Sequence, residues 1–182
     1  MMRVPPNTAM RGFSVVELMV AIAIFGILVA LSVPMYGSYL ANTQVRNAAE
    51  SMLTGVHLAQ TEAVKRNGVV EFLLDPANGW TVNLVEGNVA SQIQTVPFKS
   101  GSKQATVTPT GAMRRVSFNG LGRICCGTPP RNPIDNSAPL GQVDVTSPLL
   151  PSARSLRLVI GSAYGIKLCD PALAATDPAG CP

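Results

Sequence analysis

Gly12, Phe13 and Glu17 are the residues whose types and spacing could do chemistry first. Gly12 has no side chain, follows Arg11 and precedes a bulky aromatic at the mouth of a long apolar run. Such a peptide bond suits a protease working on the cytoplasmic side. Cleavage after Gly12 would free an α-amino group on Phe13, a cation near neutral pH. Glu17 places a carboxylate in the same apolar run, where burial in lipid costs about 3 kcal/mol at a helix centre and less near an end. If the terminal amine of one subunit meets Glu17 of the next, two charges that are unfavourable alone neutralise each other and set the register between subunits. Glu17 also completes S-x-x-E with Ser14, a capping box that satisfies orphan amides and suits the helix dipole; the two roles can coexist.

Four cysteines, Cys125, Cys126, Cys169 and Cys181, offer a second chemistry. All lie in the part of the chain expected outside the membrane, where an oxidising compartment allows disulfides. A bond between neighbours Cys125 and Cys126 is strained. The expectation is therefore that one of them bridges to the C-terminal region, with Cys169 to Cys181 closing the tail CDPALAATDPAGC as the alternative. Neither C-x-x-C spacing nor a nearby histidine supports a zinc site, so no metal and no cofactor is expected. The single histidine, His57 in TGVHLAQ, has a helical context without a carboxylate pair or a serine or cysteine beside a base. That pattern points away from an enzyme.

These residues need elements to position them. Leu18 to Leu31 contains only apolar residues, Ala and Gly, and the run from residue 13 to residue 33 has the length of a membrane-spanning helix. It lacks the clear small-x-small site that would close a secretory signal peptide. Arg3 and Arg11, the only charges in residues 1–12, hold that leader in the cytoplasm and send the rest across the membrane, so the bulk of the chain faces outward. Pro34 followed by Gly37 predicts a kink or a melted turn. From residue 39 to residue 67 apolar residues recur at helical spacing, Val45, Ala48, Met52, Val56, Ala59 and Ala63, with Arg46, Glu50 and Glu62 elsewhere, and Asn67-Gly68 forms a C-cap.

Beyond Gly68 helical periodicity stops, and residues 68–182 read as a β-rich domain. VVEFLL, WTVNLVE, QIQTVPF, ATVTPT, RRVSFN, SLRLVIG and AYGIKL are expected strands, with DPANG a turn between the first two. Trp80 should begin a strand with its ring toward the helix. Gly127 to Pro151 reads as a long loop with at most a short strand at Gln142 to Thr146. The fold class is α+β, one long, partly transmembrane helix packed on an antiparallel β-sheet domain.

The stretch GFSVVELMVAIAIFGILVALSVP resembles the class III signal and first helix of type IV pilins and type II secretion pseudopilins, G-F-[ST]-L-[IVL]-E-[LV]-[ML]. The resemblance implies the pilin fold, cleavage by prepilin peptidase after Gly12, methylation of Phe13, and a role for Glu17 in adding subunits to a filament. RRVSFNGLGRICC and, later, SLRLVIGSAYGIKLCDP are similar to paired blocks of the FimT/FimU minor pilins and GspH pseudopilins. That similarity implies a minor pilin that primes or tips a type IV pilus, with other pilins as partners. The alternatives are the type II secretion pseudopilin H and a DNA-binding minor pilin for natural transformation.

The charge balance bears on the last alternative. Net charge is +4, and the later half of the ectodomain is basic: Arg114, Arg115, Arg123, Arg154, Arg157 and Lys167 are candidates for holding the phosphates of double-stranded DNA. DNA-receptor minor pilins of the resembled family carry G-R-x-R-x-C. Here YGIKLC keeps only Lys167, a point charge without the arginine fork, with Tyr164 as a base-stacking candidate. The competing expectation is that these cations decorate strand edges and deter aggregation.

Overall fold

The computed structural model describes residues 12–87, 89–98, 101–102, 105–111, 113–125, 139–148, 153–161 and 165–182, without the side chains of residues 33–35. Helix α1 (Val15–Arg66) is followed by β1 (Val69–Asp75), β2 (Gly79–Glu86), β3 (Val89–Pro97), β4 (Thr106–Pro109), β5 (Arg115–Phe118), β6 (Ile124–Cys125), β7 (Gln142–Thr146), β8 (Leu156–Gly161) and β9 (Gly165–Cys169). The chain divides into two compact units, one ending at Gly37 and the other spanning Ser38–Pro182. Helix assignment is continuous from Val15 to Arg66, so the melted turn expected at Pro34 is absent. A proline removes one amide donor, and the turns on either side keep helical geometry.

In the second unit α1 buries a stripe of mostly small side chains: Ala41, Val45, Ala48, Ala49, Met52, Val56, Ala59 and Ala63. Their spacing of three and four residues keeps them on one face. Short side chains let flat sheets approach, and Gly55 is the tightest point. A Cβ there would lie 2.8 Å from Phe72 Cε2 and 2.9 Å from Trp80 Cδ2. The Phe72 and Trp80 rings have centroids 5.8 Å apart, and Trp80 Nε1 donates to Ser51 Oγ at 2.9 Å. The tryptophan thus faces the helix, as its position after the DPANG turn suggests. Within that turn Asp75 Oδ1 accepts from the Ala77 and Asn78 amides, and Gly79 takes a φ of 137°. Asn78 above all, through its side chain, then the Ala77 amide, holds the Asp75 carboxyl below its ordinary range.

The helix ends in a Schellman motif. Gly68 N donates to Ala63 O at 3.1 Å and Asn67 N to Val64 O at 3.2 Å, with Asn67 at a φ of 47°. Glu62, expected among the polar positions, is instead buried and holds Lys65 and Arg66, at 3.2 and 2.7 Å. Its pKa is lowered, by Arg66 first and Lys65 second.

The expected strands do not make one sheet. They form a five-stranded sheet ordered β3-β2-β1-β5-β6 and a four-stranded sheet ordered β4-β7-β8-β9, with every ladder antiparallel. Both sheets feed one core with the helix: Val70, Phe72, Val82 and Phe118 from the first, Val107, Val143, Val145 and Leu158 from the second. The short strand foreseen at Gln142 to Thr146 is central to the second sheet, because it pairs with both β4 and β8. Leu140, just ahead of it, is fully buried and ties the sheets together, its amide donating to Arg115 O at 2.8 Å.

The favoured cysteine pairing is corrected, and the alternative is the one present. Cys169 pairs with Cys181, their Cα atoms 5.1 Å apart, so the tail closes on itself and no bridge runs to it from Cys125 or Cys126. Cys125 is disulfide-bonded too, and Cys126 lies outside the described residues. The reason is the fold of the tail. Asp170 N donates to Ala179 O, Asp177 N to Ala174 O and Gly180 N to Asp177 O, which returns Cys181 to the end of β9. Cys125 sits in the other sheet. Asp170 anchors the returning chain: its carboxylate accepts from the Ala172 amide at 2.9 Å and from Arg154 Nε. The Ala172 amide foremost, with Arg154 adding to it against the penalty of burial, holds Asp170 below its ordinary range.

Gly55→Ala should destabilise the Ser38–Pro182 unit, because ring displacement at a cost of about 1–3 kcal/mol exceeds the gain of about 1 kcal/mol in helix propensity. A melting temperature equal to or above the parent's would refute this packing. Asp170 has a depressed folded pKa, so its contribution is present at neutral pH and is lost as pH falls through that value. Asp170→Asn should lower stability by about 1–3 kcal/mol at pH 7 and flatten the further loss on acidification. Thermal melts of parent and variant between pH 7 and pH 3 that run parallel would contradict it.

Candidate assembly site

The first turns of α1 are built by simple means. Ser14 O accepts from Leu18 N at 3.1 Å, so Ser14 holds the N-cap position and Glu17 falls in the first helical turn. The carboxylate is thus placed at the positive end of the helix dipole. Phe13 lies just before the helix and is 79% exposed. Residues four apart on a helix are separated by about 6 Å along its axis and share a face. A second helix displaced by about that rise would bring the Phe13 position of one chain beside Glu17 of the other.

The apolar side chains that follow are exposed. Leu18, Ile22, Phe25 and Leu31 are all more than half exposed, and the most apolar 18-residue window of α1 is 0% buried. By length and composition this part of α1 can cross a membrane. Ser32, the one hydroxyl near its end, donates to Leu28 O at 2.8 Å and so carries no unpaired donor into the apolar segment. A Cβ at Gly12 would meet nothing within 4 Å. Packing therefore gives no reason for glycine at that position.

The six basic candidates are divided between the sheets and differ in their partners. Arg115 Nη1 lies 3.5 Å from the buried Glu71, and Arg154 is on Asp170. Arg157 makes a two-point fork on Asp144, at 2.6 and 3.0 Å, which raises its already high pKa. Arg114, Arg123 and Lys167 have no ion-pair partner among the described residues. The cross-strand acids Glu71 and Asp144 were the signal that sequence reading did not use: the register that pairs them with arginine is set by the ladders. Tyr164, the stacking candidate, lies outside the described residues. His57 is exposed on α1. No cluster of three or more His, Cys, Asp or Glu suited to a metal occurs among the described residues.

A family model described as type II transport protein GspH matches residues 48–163, and one for the prokaryotic N-terminal methylation motif matches residues 7–33. A fimbrial protein of Pseudomonas aeruginosa is 33% identical over 106 residues, covering 55% of this chain and 68% of the relative. The type IV major pilin protein PilE1 of Neisseria gonorrhoeae is 30% identical over 141 residues, covering 68% of this chain and 79% of the relative. Among solved structures, the minor pseudopilin EpsH from the type 2 secretion system of Vibrio cholerae superposes with a TM-score of 0.51 at 9% identity, over 71% of this chain and 99% of the other. At that identity the likeness is one of fold.

Proposed function

The chain belongs to the GspH family of type II transport proteins, and on that premise we propose that it is a minor pilin that primes or tips a type IV pilus. The observation that carries this reading is the division of α1. Its first turns expose apolar side chains and one carboxylate, whereas the stripe beyond Ala41 is consumed by the sheets.

In this reading prepilin peptidase cuts after Gly12 and Phe13 is methylated on its new amine. The segment from Leu18 to Leu31 holds the subunit in the inner membrane, with the ectodomain in the periplasm. It then moves into the filament core beside the helices of other pilins. Glu17 pairs with the Phe13 amine of a neighbour, which neutralises both charges in an apolar surrounding. The work is assembly, and we assign the chain no catalysis. The type II secretion pseudopilin H is the same kind of subunit in another machine, and the fold likeness to EpsH supports it as the alternative. A second reading, capture of double-stranded DNA, rests on the cations without ion-pair partners among the described residues, Arg114, Arg123 and Lys167.

Glu17→Ala should leave cleavage after Gly12 intact and remove the chain from the sheared filament fraction of cells. Normal incorporation of the variant would overturn the pairing. For the second reading, the Ser38–Pro182 unit should bind double-stranded DNA with an affinity that falls as salt rises and that drops in an Arg123→Ala/Lys167→Ala variant. No binding at low salt would eliminate it.

A further inference from the structure

The turn joining β5 to β6 is clamped onto the last turns of α1. Asn119 Oδ1 accepts from the amides of Leu121 and Arg123, both at 3.0 Å. Gly122 N donates to Asn119 O at 2.8 Å, and Gln60 Nε2 reaches from the helix to Gly122 O at 2.9 Å. Gly122 adopts a φ of 72°, and a Cβ there would come within 3.2 Å of Val64 Cγ2, so the turn rests directly on the helix. This arrangement holds Leu121 outward, 79% exposed, while Val64 beneath Gly122 remains 52% exposed.

Beside the turn lies a groove of about 310 Å³, its apolar lining formed by Phe118, Ile124 and Ile166 and its polar lining by His57, Gln60 and Arg123. Gly161 and Gly165, the ends of β8 and β9, complete the wall without a side chain to fill it. No carboxylate lines the groove among the described residues. Arg115, Arg154 and Arg157 each rest on a carboxylate, whereas Arg123 has none among the described residues.

We propose that this groove receives an acidic side chain from a neighbouring protein subunit, with Leu121 as the apolar anchor at its rim. The guanidinium fork of Arg123 fits a carboxylate at two points, and a partly apolar groove strengthens that bond by thinning the water around it. The turn is already ordered by its internal hydrogen bonds and by the one from Gln60, so burying Leu121 loses little further conformational freedom. The partner is a segment that carries a carboxylate next to an apolar residue. A nucleic-acid phosphate would also satisfy Arg123, but it offers nothing to an exposed leucine, and Arg123 is the one arginine or lysine lining the groove among the described residues. The proposal rests on the filament reading only for where the partner comes from.

The test places an apolar photo-cross-linking side chain at position 121 of the full-length chain in cells. The expected product is an adduct with another envelope protein, reduced about tenfold by Arg123→Glu, partly retained in Arg123→Lys and unchanged by Gln94→Glu on the distant strand β3. Chain present in the sheared filament fraction without an adduct, or with one indifferent to Arg123→Glu, overturns the groove and leaves the filament reading standing. A nuclease-sensitive adduct overturns it in favour of phosphate binding. If the chain never enters the sheared fraction, the filament reading fails. The groove is then decided on the Ser38–Pro182 unit by nuclear magnetic resonance of the His57 ring, with acetate and inorganic phosphate as probes. A shift with acetate that vanishes in Arg123→Glu upholds it, and no acetate-dependent shift, or one that persists in Arg123→Glu, overturns it.

Discussion

The ectodomain depends on one close contact, the approach of α1 to the aromatic pair Phe72 and Trp80 at Gly55. Only a residue without a side chain fits there, and the alanines at 48, 49, 59 and 63 extend the same shallow face along the helix. With the helix lying close, two sheets rather than one can reach it and share a single core. Larger residues on this stripe would hold the sheets away from the helix. The tryptophan adds a directional element, since its indole N–H must find Ser51 and so fixes where along the helix the first sheet docks.

The same helix serves two surroundings. Its second half satisfies its apolar stripe within the Ser38–Pro182 unit, whereas the apolar side chains of its first half are exposed. A helix that is apolar all round requires lipid or other helices of the same kind. In such a place the cheapest charge is one at the helix end that can be neutralised by a partner one step away. Glu17, in the first turn and four residues from Phe13, occupies that position. Capping and assembly are not competitors, because the helix dipole stabilises the carboxylate in the isolated subunit and a neighbouring amine would replace that weaker interaction.

Local pattern carried much of the fold. The helix stop at Asn67-Gly68, the Asp75 to Gly79 turn and seven of the strands follow from periodicity and turn chemistry that act over a few residues. What local pattern does not contain is which strands are neighbours. β1 lies between β2 and β5, and β7 between β4 and β8, so the division into two sheets arises from contacts distant in sequence. The preference between the two disulfide pairings went the wrong way for a related reason. Its expected partner was chosen by the strain of a vicinal bond, whereas the outcome is set by the backbone bonds from Asp170 to Ala179 and from Asp177 to Ala174 that curl the tail. Glu62 departs from the helical pattern because Lys65 and Arg66, one turn on, compensate a carboxylate at a buried position.

Charge is where counting and geometry part. A tally of arginines against acids makes the later half of the ectodomain look like a surface for phosphate. In the fold, Arg157 has both its fork bonds on Asp144, and Arg154 helps hold the tail through Asp170. A phosphate could recruit either only by breaking an existing charge-assisted bond and leaving a carboxylate unpaired, so each such contact begins with a penalty rather than a gain. Capacity for an anion therefore resides in the cations that the ladders leave over. Of these, Arg123 alone among the described residues lines a groove with apolar walls, and it stands one residue from Gly122, where the turn is fastened to α1 by Gln60. The Gln60 bond thus fixes the orientation of that turn on the part of α1 that lies within the Ser38–Pro182 unit.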